Sequence, residues 1–263
     1  MAKGLETEAS PPEHTWDVDR LRVEVHEDAP SLGRAAARAV AAELRRRLGL
    51  QSKVRMIAAS APSQAETIAA LLREPGIDWA RVTVFHMDEF IGLPAGAPQH
   101  FALWLEEHLV RHVEGATFHP ITPEPDAEAE AARYAALLGE APVDIVCLGI
   151  GVNGHIAFND PPVADFDDSL DVKIVAMDPP CRQQQVDDGG FPEIDVVPTQ
   201  AVTLTVPRLM RAERLFCMVP GQHKAEAVRA CLTGPVTTEW PASVLRRHPA
   251  CTLYLDRKSA AHV

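Results

Sequence analysis

The feature that most constrains this 263-residue chain is a seven-residue run, DIVCLGI at positions 144–150, that is apolar almost throughout and ends in a glycine-rich turn. A strand with one face in water alternates apolar and polar side chains. A run like this one belongs to a strand covered on both faces, as in a parallel sheet sandwiched between helix layers. The rest of the chain is read around that strand. Strand patterns occur at residues 21–26, 54–59, 82–87, 173–177, 201–206, 215–219 and 252–255. Helical spacing occurs at residues 32–48, 63–72, 99–113, 126–138, 224–232 and 242–247, with Ser31 and Ser63 as expected N-caps. Strands alternating with helices predict an α/β fold: a doubly wound, mostly parallel sheet flanked by helices, three layers of Rossmann type. The first 18 residues are polar and proline-containing and are expected to be a loose tail, with residues 19–263 forming one domain.

Charge narrows the partners. With 25 Lys and Arg against 37 Asp and Glu the chain carries −12. An acidic surface of this kind repels phosphate backbones and anionic lipid, so neither a nucleic acid nor a membrane is an expected partner. The five cysteines form no CxxC pair and two lie in apolar runs, which reads as buried thiols in a reducing compartment. No secretory h-region and no membrane-length apolar stretch occur in the sequence, so a cytoplasmic protein is expected.

Ligands of doubly wound sheets sit at the carboxyl ends of strands. Three such ends carry unusual residues. Ser60-Ala61-Pro62-Ser63 lies between a strand and a helix, where hydroxyls and backbone N–H groups either bind an anion or serve as a plain helix cap. Asp88 and Glu89 follow a buried strand directly, as an exposed acidic turn or as a carboxylate whose raised pKa suits proton abstraction. Residues 149–162, GIGVNGHIAFNDPP, match GxGxxG, but Pro161-Pro162 leaves no room for the helix that a dinucleotide site needs. The alternative is a loop that admits a small substrate and presents Asn153, His155 and Asp160 together, the acid orienting the imidazole. His108 and His112 are spaced like zinc ligands, yet no HExxH accompanies them and no metal is expected there. Neither a Walker A sequence nor GxSxG occurs.

Taken together, FHMDEFIGLP at 85–94, LGIGVNGHIAFNDP at 148–161 and PGQHKA at 220–225 resemble the glucosamine-6-phosphate deaminase/isomerase family, which is related to the 6-phosphogluconolactonases. The resemblance spans about residue 20 to the end, and GHIAFN favours the deaminase branch. It implies Asp88 as the base beside the sugar carbonyl and His155 as the ring-opening base, with Asn153 and Asp160 as its helpers. Lys224, Ser60 and Ser63 then hold the phosphate. No cofactor is implied, the implied partner is a small sugar phosphate, and a homo-oligomer is compatible because relatives occur both as monomers and as larger assemblies. Three departures stand out. Asp160 replaces a usual Glu, Ala61 and Pro62 replace two glycines of the phosphate loop, and the arginines that follow the middle motif are missing. Arg182 is the one guanidinium between Asp160 and Arg208 and is a candidate replacement, while Asp165, Asp167 and Asp168 would repel a phosphate. Gln183 to Gln185 either bind sugar hydroxyls or cover a loop. The rival activities are hydrolysis of a sugar-phosphate lactone and non-catalytic sensing of a sugar phosphate.

Overall fold

The computed structural model describes residues 11–263. Eighteen strands and α-helices follow one another along them: β1 (His14–Val18), β2 (Leu21–His26), α1 (Ala29–Leu48), β3 (Val54–Ala58), α2 (Ala65–Leu71), β4 (Val82–His86), β5 (Asp88–Phe90), α3 (Phe101–His108), β6 (Thr117–His119), α4 (Ala127–Gly139), β7 (Ile145–Leu148), β8 (Val172–Ala176), α5 (Pro179–Asp187), β9 (Gln200–Leu204), α6 (Val206–Met210), β10 (Arg214–Val219), α7 (Ala225–Thr233) and β11 (Cys251–Asp256). Eight strands form one sheet in the order β1-β2-β11-β10-β7-β3-β4-β6. Every pairing in it is parallel except that of β1 with β2. As the apolar run predicts, β7 is central and all four of its residues are buried. One apolar cluster lies on each side of the sheet, one packed beneath α1 and α2 and the other beneath α4 and α7.

A second sheet of three antiparallel strands, β5-β9-β8, stands beside the first. The chain passes between the sheets at Met87. His86 ends β4 in the large sheet, and two residues later Asp88 begins β5 opposite Thr203 of β9. The crossing is held by Leu204, whose N–H donates to Met87 O at 2.8 Å. Among the described residues no helix is long and apolar enough to cross a membrane.

Several expectations need correction. Residues 14–18 of the expected loose tail pair with β2, while its first ten lie outside the described residues. Helix α1 starts earlier than Ser31 implies. Asp28 is its cap, accepting from Ser31 N at 2.8 Å, and the Ser31 hydroxyl accepts instead from Arg34. Ser63 caps no helix, because it lies inside a 3-10 turn, Pro62–Gln64, that leads into α2 without a side-chain cap. The expected helix over 99–113 breaks after His108 and resumes as a 3-10 turn, Val110–His112. There the rings of His108 and His112 bond the carbonyls of Trp104 and Glu107. That contact occupies the pair spaced like zinc ligands with helix-end carbonyls. The segment expected as a helix at 242–247 is a 3-10 turn, Pro241–Arg247.

Helices α1 and α2 meet where Gly33 faces Glu66. A Cβ at Gly33 would stand 2.8 Å from Glu66 Cβ and 2.9 Å from its carbonyl carbon, which is backbone and has nowhere to move. We expect Gly33→Ala to force the helices apart and lower stability by about 1–3 kcal/mol, read as a shifted urea midpoint with an unchanged slope.

Candidate active site

A cleft opens where β3, β4, β7 and β10 end, and its walls come from five distant segments. Ser60 and Ser63 stand on one side, Asp88 follows β4, His155 comes from the loop after β7, Lys224 follows β10, and Gln184, Gln185 and Asp188 come from α5 and its end. Asp88, His155, Ser60, Ser63 and Lys224, all singled out in the sequence, therefore face one space.

His155 is placed by its own loop. Its ring lies against Gly151, where an added Cβ would fall 2.1–2.3 Å from three ring atoms, so only glycine leaves room for it. Nδ1 is 2.7 Å from Asn153 Oδ1 and 3.0 Å from Asp160 Oδ1. Both partners are acceptors here, because the Asn153 amide nitrogen donates to Asp160 at 3.0 Å and to Asp178 at 3.1 Å. Nδ1 must then carry the proton, and in the neutral ring Nε2 keeps the lone pair. Burial alone would raise the Asp160 carboxyl, but the bonds from His155, Asn153 and the Asp178 N–H outweigh it and hold Asp160 below the usual carboxylate range. The shorter side chain of Asp thus reaches His155 without help. Asp178, which sequence reasoning missed, closes this network from the start of α5.

The loop is tied to the second sheet. Phe158 N donates to Thr203 Oγ1 at 3.0 Å, and the fully buried Asn159 amide donates to Ile156 O and Leu204 O. Thr203 is also the residue opposite Asp88. One strand, β9, therefore sets the position of both the carboxylate and the imidazole loop. Asp88 is buried, and that burial, aided by the carboxylates of Glu89 and Asp160, pushes its pKa well above the usual value. A carboxylate so destabilised is a better proton acceptor.

Glu89 has another task. Fully buried, it accepts from Phe90 N at 3.0 Å, Phe101 N at 3.1 Å and Ala102 N at 2.9 Å, and so caps α3 from outside the helix. Phe101, the first residue of α3, stacks on Phe158 and lines the cleft. His100 lies 3.5 Å from Glu89, and that contact raises the His100 pKa.

Lys224 is 4% exposed, and no ion pair of it is found among the described residues. Burial lowers its pKa to about 8, against the opposing pull of Asp188 and Cys181. The Ser60 hydroxyl is buried without a hydrogen-bond partner and lines the same wall. Arg182 departs from expectation. Its guanidinium donates to Ile194 O at 2.6 Å and Val197 O at 2.8 Å, pinning the segment before β9, and it lines no part of the cleft. Of the three glutamines, Gln184 and Gln185 line the cleft and Gln184 also accepts from Val152 N at 2.9 Å. Gln183 turns out to bond Asp187. Asp165, Asp167 and Asp168 stay outside the cleft, with Asp168 paired to Lys173.

Residues 27–254 match the family described as glucosamine-6-phosphate isomerases/6-phosphogluconolactonase. The chain belongs to that family. Among curated relatives, glucosamine-6-phosphate deaminase of Listeria monocytogenes serotype 4a is 36% identical over 200 residues, covering 76% of this chain and 83% of the relative. The deaminase of Leuconostoc citreum is 35% identical over 193 residues, covering 72% of this chain and 80% of the relative. A solved monomeric glucosamine-6-phosphate deaminase superposes with a TM-score of 0.84 at 27% identity, covering 92% of this chain and 99% of that one. The 6-phosphogluconolactonase of Shewanella baltica, at 18% identity and a TM-score of 0.74 over 92% and 100% of the two chains, shares the fold.

Removing the Glu89 carboxylate would leave three N–H groups at the start of α3 and in β5 without acceptors. We expect Glu89→Ala to cost about 3 kcal/mol, measured by urea unfolding, and to raise hydrogen exchange first at Phe101 and Ala102.

Proposed function

We propose that this family member is an amino-sugar phosphate deaminase/isomerase of the glucosamine-6-phosphate type, and that the residues gathered in the cleft carry the reaction. The observation that supports this most is the meeting of Asp88, His155 and Lys224 around one space. A buried proton acceptor, an imidazole with a free lone pair and a buried cation with no ion pair among the described residues face each other there.

The sugar phosphate is anchored by Lys224, with the unpaired Ser60 hydroxyl and Ser63 beside it. Pro62 contributes no N–H to this cradle, and α5 brings the side-chain amides of Gln184 and Gln185 to the cleft. His155 Nε2 moves a proton between the anomeric hydroxyl and the ring oxygen, and the ring opens to the aldehyde. Asp160 and Asn153 steady the imidazolium that forms in passing. Asp88 then takes the acidified proton from the carbon that bears the amine, giving an enolamine. Return of that proton to the neighbouring carbon gives an imine, and water hydrolyses it to ammonia and a ketose phosphate. The aldehyde formed by ring opening is the electron sink, so the chain of proton transfers is complete with the side chains named. General acid–base groups of this kind contribute about a hundred- to ten-thousand-fold each.

The test is incubation with glucosamine 6-phosphate and measurement of ammonia and fructose 6-phosphate. Asp88→Asn is expected to lower kcat by at least about a hundredfold while circular dichroism and melting temperature stay close to the parent. Undiminished turnover in that variant removes Asp88 as the base. Hydrolysis of a sugar-phosphate lactone by Asp88→Asn, with no ammonia released by the parent, would assign the site to the lactonase chemistry instead.

A second expectation concerns pH. Lys224 holds its charge below about pH 8 and loses it above. The KM for the sugar phosphate should therefore rise above pH 8, by roughly tenfold per unit in the limit. On the acid side kcat/KM should fall at a pH above the ordinary carboxylate range, because Asp88 must be ionised to act and its pKa is raised.

A further inference from the structure

One group beside the cleft has no part in the proposed reaction: the thiol of Cys181. It lies in the first turn of α5, fully buried, with Sγ 4.0 Å from His155 Nε2. An imidazole nitrogen, a thiol and the Asp160 carboxylate thus gather within 4.8 Å of one another. Their roles divide cleanly. Asp160 and Asn153 occupy Nδ1, which leaves the Nε2 lone pair facing the sulfur. A histidine bonded to a carboxylate through one nitrogen and free at the other is the usual form of a metal-binding histidine.

The spacing suits an ion. Zinc binds nitrogen at about 2.0–2.1 Å and thiolate sulfur at about 2.3 Å, so a tetrahedral N–Zn–S pair spans about 3.6 Å. The observed 4.0 Å is reached by a contraction of about 0.4 Å. Burial and, after it, the carboxylates of Asp160 and Asp88 keep this thiol protonated, with Lys224 alone opposing them, so an ion must displace the proton; the same two carboxylates attract a cation. Cys181 belongs to the buried apolar cluster that also holds Phe90, Phe158 and Phe191, a setting that excludes water from that side. A thiolate and an imidazole select soft or borderline ions over magnesium and calcium.

We propose that Cys181 and His155 form a binding site for a thiophilic divalent cation, zinc above all, and that the ion switches the enzyme off by taking the Nε2 lone pair. On binding, the thiol releases its proton to solvent and the Cys181 thiolate and His155 Nε2 each form one bond to the ion. Water fills the remaining positions on the cleft side. No redox step is involved, and chelation reverses the block. The inhibitory consequence rests on His155 as the ring-opening base, whereas the binding itself does not.

The experiment titrates the 263-residue chain with Co2+ and follows the near-ultraviolet thiolate-to-cobalt absorption, in the parent and in Cys181→Ala. The other four cysteines, Cys147, Cys217, Cys231 and Cys251, are buried elsewhere and are present in both proteins. The expected result is one saturable equivalent in the parent, displaced by Zn2+, and no band in the variant. Cys181→Ser, with the same readout, serves if Cys181→Ala does not fold. In parallel, Zn2+ should inhibit ammonia release by the parent, EDTA should restore it, and the variant should need at least ten times more Zn2+. Absence of the band in the parent, or the same band in parent and variant, overturns the site. Equal Zn2+ sensitivity of turnover in both overturns the switch. A cobalt band that depends on Cys181, in a protein that releases no ammonia, keeps the metal site and removes the deaminase reading.

Discussion

The site depends on a short seam in which β9 holds two otherwise unrelated parts of the chain. Thr203 stands opposite Asp88 in the ladder and its hydroxyl accepts from Phe158 N, while Leu204 accepts from Asn159 and donates to Met87. Each bond is buried, so none competes with water and each would be costly to leave unmade. The large parallel sheet brings strand ends to a common rim. The seam is what converts that rim into a fixed relation between a carboxylate and an imidazole.

Two carboxylates adjacent in the chain show how environment divides labour. Asp88 looks into the cleft with little to stabilise its charge, and its proton affinity rises. Glu89 points to the opposite side, where three backbone N–H groups at the start of α3 receive it. Strand geometry alone separates them, since successive side chains leave a strand on opposite faces. The Phe101–Phe158 stack then joins the helix held by Glu89 to the loop that carries His155.

Much of this was legible in the residues. The buried run at β7, the alternation of strands and helices, and the loop GVNGHIAFND all carry local signals that survive folding. What stayed hidden depended on partners distant in sequence. Asp178 gives no sign of its place until α5 folds back over the loop. The short strands β5 and β6 have three residues each, too few for a period to show. Strand β1 reads as polar because it is an edge strand with most of its side chains in water. Arg182 looked like a phosphate ligand because a lone guanidinium in a basic-poor stretch invites that reading. The carbonyls of Ile194 and Val197, twelve and fifteen residues on, claim it instead.

The placement of α5 has a consequence for how such an enzyme diverges. Asp88 and His155 are anchored to a strand and to the loop after β7, whereas Gln184, Gln185 and Asp188 reach the cleft from α5 and its end, a helix with little apolar face of its own. Substitutions at Gln185 and Asp188 alter what the outer cleft greets and leave in place the bonds by which Asp178, Arg182 and Gln184 tie the helix to the His155 loop and to the segment before β9. Changes at these two positions can therefore retune the outer wall while the relation between Asp88 and His155 stays as it is.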